Sequence, residues 1–270
     1  GIYKISYYSA LKPLKYSFTE KESDITIISE LKSAIYDAKK AFLTHRKVLE
    51  NYVKKNKEFL ESFSPVKISD EEQIIMQMAE AAEICGVGPM ASVAGVLADL
   101  MILAMKSSEV HHPPSIALVE NGGEIAIDSK EPMKIALYAG ENQLNLNLGF
   151  LIEKEDCPIG IGTSSATIGH AISLGQADAV TIFARNAGLA DAAATKICNL
   201  VKGPDIEKSI KKALDSVDDL EGVNGAFISR ENKVGQIGKL PKFIRIDSIN
   251  LDTYQGKIKE LIPPDFDLLK

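Results

Sequence analysis

The sequence predicts an α+β protein, a mainly antiparallel sheet with helices clustered before and after it. Three observations carry this. Early in the chain apolar residues recur at helical spacing, as in Leu31, Ile35, Ala38 and Phe42. Later, short apolar stretches are bounded by glycine and asparagine turn signals. Helical patterns flank the strand-rich section instead of alternating with each strand, which points away from a parallel βαβ sheet.

Residues 16–29, YSFTEKESDITIIS, alternate as one strand marked by Tyr16, Phe18, Ile25 and Ile27. A long amphipathic helix follows from Glu30 to about Phe63, stopped by Pro65. Ser69 and Glu72 fit a capping box for the next helix, in SDEEQIIMQMAEAAEI. ASVAGVLADLMILAM reads as a buried helix around 91–105, too short for a membrane span and carrying Asp99. SIALVENGGEIAID predicts a hairpin turning at Asn121-Gly122, a pair suited to positive φ. MKIALYAG, LNLNLGFLI and ADAVTIFAR continue the sheet. The alanine-rich GLADAAATKICN, residues 188–199, is a helix. A charged helix runs from Asp205 to about Val217, ahead of strands GAFISR and KFIRID. The whole chain, 1–270, reads as a single domain, with residues 255–270 as a peripheral tail.

Composition narrows the function classes. The chain is 45% hydrophobic and 25% charged, as in soluble globular proteins, and 270 residues bury a large core. Its net charge of −6 opposes a nucleic-acid surface, and aromatics at 6% without tryptophan offer little base stacking. Cys85, Cys157 and Cys198 form no CxxC pair and no zinc spacing, and the sequence shows no signal-like leader. A cytoplasmic protein with neither nucleic-acid nor membrane partners is expected.

Chemistry concentrates in four places. GVGPMASVAG (86–95) and GIGTSSATIG (160–169) share a G-x-G frame with a further glycine, an echo that fits either a duplicated unit or chance. In the second, Thr163, Ser164, Ser165 and Thr167 offer hydroxyls beside Gly160 and Gly162, whose backbone amides suit a phosphate or carboxylate. In the first, Gly86, Gly88 and Ser92 permit close approach of a ring or sugar, or simple packing. Asn121, Gly122, Gly123 and Glu124 form a turn with a carboxylate just beyond it. Asp191 and Thr195 lie four apart, which stacks two hard oxygens on one helix face, as cation ligands or as an end cap and an ordinary threonine. His170 is a candidate acid–base residue, and Cys157 becomes a nucleophile if nearby amides lower its pKa.

In order along the chain, GPMASVAGVLAD, ENGGEIAI, a histidine loop and LADAAAT resemble the ApbE superfamily of flavin-binding, magnesium-dependent transferases with the T-fold. The similarity covers roughly residues 80–203, and the full length resembles an uncharacterised prokaryotic branch common in archaea and anaerobes. It implies that Asp191 and Thr195, in ADAAAT, match the family's magnesium-binding A-D-A-x-A-T segment. Gly122-Gly123-Glu124 resembles the family's G-G-D or G-G-N, and His170 its loop histidine. Two departures stand out: Ala94 replaces the lysine of G-G-I-A-K-G, and the H-x-x-D-P-x-T-G substrate loop is absent. Both argue against FMN transfer to a protein threonine.

The expected function is therefore Mg2+-assisted binding of a phosphorylated or nucleotide-like small molecule, such as FAD or FMN. A second reading, from the branch's link to sulfide assimilation and homocysteine formation, gives Cys157 a sulfur-handling role. A third makes the protein a non-enzymatic binding or assembly module. The apolar face of the helix at 30–63 needs cover, which predicts a homo-oligomer, most simply a dimer.

Overall fold

A computed structural model describes residues 5–7, 12–69, 72–107, 112–137, 144, 147–165, 175–246, 253–255 and 258–269. In chain order the elements begin with β1 (Ile5–Tyr7), β2 (Leu14–Glu20), β3 (Ser23–Ser29), α1 (Lys32–Lys55), α2 (Lys57–Glu61) and α3 (Gln73–Cys85). A 3₁₀ turn, Pro89–Ser92, leads into α4 (Val93–Ser107), followed by β4 (Leu118–Asn121), β5 (Glu124–Ile127), β6 (Met133–Ala136) and β7 (Leu148–Ile152). Then come β8 (Ile159–Ser164), β9 (Ala179–Ala184), α5 (Ala187–Leu200), α6 (Ile206–Asp215), β10 (Val223–Arg230) and β11 (Lys233–Gly238). β12 (Lys242–Ile246), β13 (Thr253–Gln255), α7 (Ile258–Leu261) and β14 (Asp267–Leu268) complete the set.

The strands form a nine-stranded sheet, β14-β11-β10-β9-β8-β5-β4-β3-β2, and a five-stranded sheet, β1-β6-β7-β12-β13. All pairings are antiparallel except β11 with β14. Strand periodicity of two divides the large sheet's side chains between two cores. On β9, Phe183 faces the small sheet and meets Phe150 at 4.8 Å between ring centroids, while Val180 and Ile182 face the helices. Helices α1, α3 and α4 bury Ile25, Ile27, Val119 and Ala126, and α5 and α6 bury Ala226 and Ile228. The molecule is thus layered as small sheet, large sheet and helices, an α+β fold with the expected antiparallel bias. Pro89–Ser107 has the length and apolar character to cross a membrane, yet here Val96, Leu97, Leu100, Met101 and Met105 are core residues.

Several boundaries differ from the sequence expectation. Residues 16–29 are a hairpin, not one strand: the chain turns at Lys21 (φ 52°) and Glu22, with Glu20 opposite Ser23. The long helix breaks at Asn56 and α2 ends at Glu61, before Pro65. α3 starts at Gln73 with Glu72 as N-cap and no side-chain cap bond, so the Ser69–Glu72 box does not form. The later hairpin turns one residue further on, at Gly122-Gly123, with φ of 64° and 123°. The tail is not peripheral: Ile258, Leu261 and Ile262 enter the inter-sheet core, and β14 pairs with β11. The G-x-G echo marks no repeated unit, because Gly86 is the left-handed C-cap of α3 whereas Gly160 and Gly162 lie within β8.

Candidate functional site

Helices α4 and α5 meet through glycine. A Cβ at Gly95 would fall 2.2 Å from the Ala187 carbonyl oxygen, and one at Gly188 would fall 2.4 Å from Val96 Cγ2. Below α5, a Cβ at Gly160 would fall 2.0 Å from the Asn186 carbonyl carbon, and one at Gly162 would fall 2.4 Å from the Ala190 backbone. Only hydrogen fits in these gaps, so glycine here sets how closely helix, helix and strand approach.

That closeness lets each helix cap the other. The first amides of a helix lack internal acceptors and favour negative charge. Asp191 of α5 accepts the Gly95 N–H at 3.0 Å through Oδ2, with the Ala94 amide also contributing. Asp99 of α4 accepts the Ala187 and Gly188 N–H groups, both at 2.8 Å, through its two carboxylate oxygens. Asn186 completes the α5 cap by accepting the Leu189 N–H at 2.9 Å.

The β4–β5 hairpin adds a third wall. Asn121 Nδ2 donates to the Ala94 carbonyl at 3.0 Å, tying the turn to α4. Glu124, 8% exposed, faces the helix layer and accepts the Thr163 N–H from the end of β8. Burial first, and then the charge of Asp191, push Glu124 well above the ordinary carboxylate range. Burial also raises Asp191, against the Gly95 and Ala94 amides and with the Asp99 charge adding to the rise. Burial pushes Asp99 up to about 7, against its two amide donors. Among the described residues no ion pair neutralises any of the three.

Asp191 and Glu124 are hard oxygen donors and fit the chemistry of a divalent cation. Among the described residues no three His, Cys, Asp or Glu side chains converge to hold a metal alone. A cation here would rest on Asp191 and Glu124, with Thr195 one turn along α5, and needs water or ligand oxygens to complete its shell.

The other predicted residues scatter. Gly160, Gly162, Thr163 and Ser164 belong to β8, and the two glycines are helix–strand spacers, so no amide cradle forms at this pair. Ser165, buried, follows the strand. Gly86 caps α3, a Cβ at Gly88 would meet the Ser62 carbonyl at 1.8 Å, and Ser92 Oγ donates to the Pro89 carbonyl at 2.9 Å. These three hold the chain path and are satisfied without a ligand. Thr167 and His170 lie outside the described residues. Cys157 is half-buried at the opposite end of β8 from Thr163, and burial, with Asp128 and Asp156 nearby, raises its pKa. This direction is opposite to the lowering that activates a thiol nucleophile. The sequence reading missed Asp99 as a helix cap and Glu124 as the partner of Asp191. The signal for Asp99 was present: a carboxylate inside an apolar helix must find donors.

The layered α+β fold gives the class of the chain, and comparison with known proteins gives its family. Residues 8–225 match the family described as "AbpE bacteria", and the chain belongs to that family. Its relatives include the UPF0280 protein of Methanocaldococcus jannaschii, 40% identical over 230 residues, 84% of this chain and 91% of the relative. The UPF0280 protein of Methanopyrus kandleri is 39% identical over 230 residues, with the same coverage of 84% and 91%. Among solved structures, the apo flavinyl transferase ApbE of Pseudomonas stutzeri is 15% identical, covering 93% of this chain and 96% of its own, at a TM-score of 0.49. The ApbE protein of Thermotoga maritima is 11% identical, covering 80% and 94%, also at 0.49.

Proposed function

We propose that this protein binds a phosphorylated, nucleotide-like small molecule, with flavin nucleotides the first class to test, through a divalent cation held by Asp191 and Glu124. The observation that carries the reading is a buried carboxylate, Glu124, near a partly buried one, Asp191, on separate elements, each with amide donors and with no basic partner among the described residues. Such an arrangement costs stability as it stands and is relieved by a cation or a proton. Family membership and the ADAAAT and Gly122-Gly123-Glu124 correspondences support flavin. The cation would supply charge neutralisation for ligand phosphates. Asp191 and Glu124 would orient it, while Asp99 and the glycine contacts hold Asp191 in place. FMN transfer to a protein threonine remains disfavoured by Ala94 and the missing substrate loop.

Calorimetry with FAD, FMN and ADP, each with and without Mg2+, tests the proposal. Binding that strengthens with Mg2+ and weakens in Glu124→Gln supports it; no heat from any of the three refutes it. The raised Cys157 pKa speaks against the sulfur-handling alternative.

A further inference from the structure

The acidic site leaves unexplained the broad groove on the outer flank of α1. Its volume is about 920 Å³, and it shares no lining residue with the acidic cluster. Tyr36 (68% exposed) and Leu43 (44% exposed) give it an apolar floor with Val48. Lys32, Lys40 and Lys47 stand along it, exposed and without an ion pair among the described residues. In a chain of net charge −6 this is a local concentration of positive charge over apolar surface.

The groove borders a sheet edge that is unpaired among the described residues. β2 is the last strand of the large sheet among the described residues, and its Tyr16 lines the groove. The two-residue turn at Lys21-Glu22 makes Glu20–Ser23 a hydrogen-bonded pair, so Phe18 and Tyr16 also bond inward to β3. The main-chain groups of Lys15, Ser17 and Thr19 therefore point outward, and all three residues are exposed. Lys39 Nζ bonds the Tyr16 hydroxyl at 2.7 Å and sits 5.1 Å from the Phe18 ring centroid, which fixes the aromatic side of the edge.

We infer that this edge and groove form a docking site for an extended acidic peptide segment of another protein. The segment would add a strand to β2, set alternate apolar side chains on Tyr36 and Leu43, and bring carboxylates to Lys40 and Lys47. Charge selects this occupant over a second copy. Antiparallel pairing of two β2 strands requires a two-fold axis normal to the sheet, which sets one lysine row against the other.

Fluorescence anisotropy on the full chain tests this with a labelled peptide of Leu-Thr-Glu-Thr repeats and a control with lysine for glutamate. The expected result is saturable binding of the acidic peptide alone, weakened at least about tenfold by Lys40→Glu/Lys47→Glu and similarly by Ser17→Pro, which removes an outward N–H. Thermal melts confirm that both variants fold, and the lysine pair stands as the test should the proline variant not. Four outcomes overturn the inference: no binding, equal binding of both peptides, affinity unchanged in the lysine variant, or binding of phosphatidylserine vesicles that the peptide does not displace. A concentration-dependent dimer in sedimentation that Ser17→Pro abolishes assigns the edge to a second copy and also overturns it.

Discussion

Replacing Glu124 by glutamine removes the buried member of a pair of neighbouring acids while keeping an oxygen for the Thr163 amide. The metal-free protein should gain stability, because like charges in a low-dielectric site repel and neither acid has a basic partner among the described residues. The same substitution should abolish the response to Mg2+. With two carboxylates and a hydroxyl from the protein, a weak site with Kd of about 1 mM is reasonable. At about 10 mM Mg2+ such a site stabilises the fold by about 1.4 kcal/mol, a rise in Tm of about 3–6 °C for a chain of this size. Thermal unfolding of wild type and Glu124→Gln, with and without MgCl2 and with NaCl matching ionic strength, reads both effects. Two results refute the reasoning: no Mg2+ shift in wild type, or an equal shift in the variant.

Asp99→Ala strands the Ala187 and Gly188 amides and should cost about 2–4 kcal/mol in urea unfolding. Because Asp99 titrates near 7 when folded and near 3.8 when unfolded, the folded state binds the extra proton between those values. Asp99 alone should therefore make stability fall as pH rises from about 4 to about 7, by at most about 1.4 kcal/mol per pH unit, with the raised Glu124 and Asp191 adding to the slope, and Asp99→Asn should remove the Asp99 share. Gly162→Ala drives a methyl into the Ala190 backbone and should destabilise by about 3 kcal/mol, visible as a lower urea midpoint. Cys157 should react with iodoacetamide more slowly at pH 8 than a free cysteine, since burial raises its thiol pKa.

The sequence made legible what depends on local pattern. The spacing of Leu31, Ile35, Ala38 and Phe42 gave α1, and the alanine run gave α5. It missed the β2–β3 turn because Lys21-Glu22 carries none of the glycine, asparagine or proline signals that mark hairpins. The glycines of β8 misled for a related reason. A G-x-G frame reads the same whether its missing side chains admit a phosphate or the backbone of a packed helix, and only tertiary structure distinguishes them. Of the site, Asp191 and Glu124 were both singled out, but 67 residues separate them in the chain and no local pattern pairs them. Asp99 was read only as a charge too costly for a membrane span, when its acceptors were already needed by a helix start far downstream.

Of the two readings of Asp191 that the sequence left open, the structure shows the cap, and the cation role stays a proposal. Asp191 is an end cap, though of α4 instead of its own helix, and that cap occupies one carboxylate oxygen with the Gly95 amide. The contacts that serve the fold would also position Asp191 in the proposed site: Gly95 and Gly188 bring the helices together, Asp99 anchors the start of α5, and Gly160 and Gly162 seat α5 on β8. A variant that loosens any of these contacts should weaken ligand binding without touching a ligand. Loss of binding in Asp191→Ala therefore does not separate the two roles, whereas Glu124→Gln, which caps no helix, does.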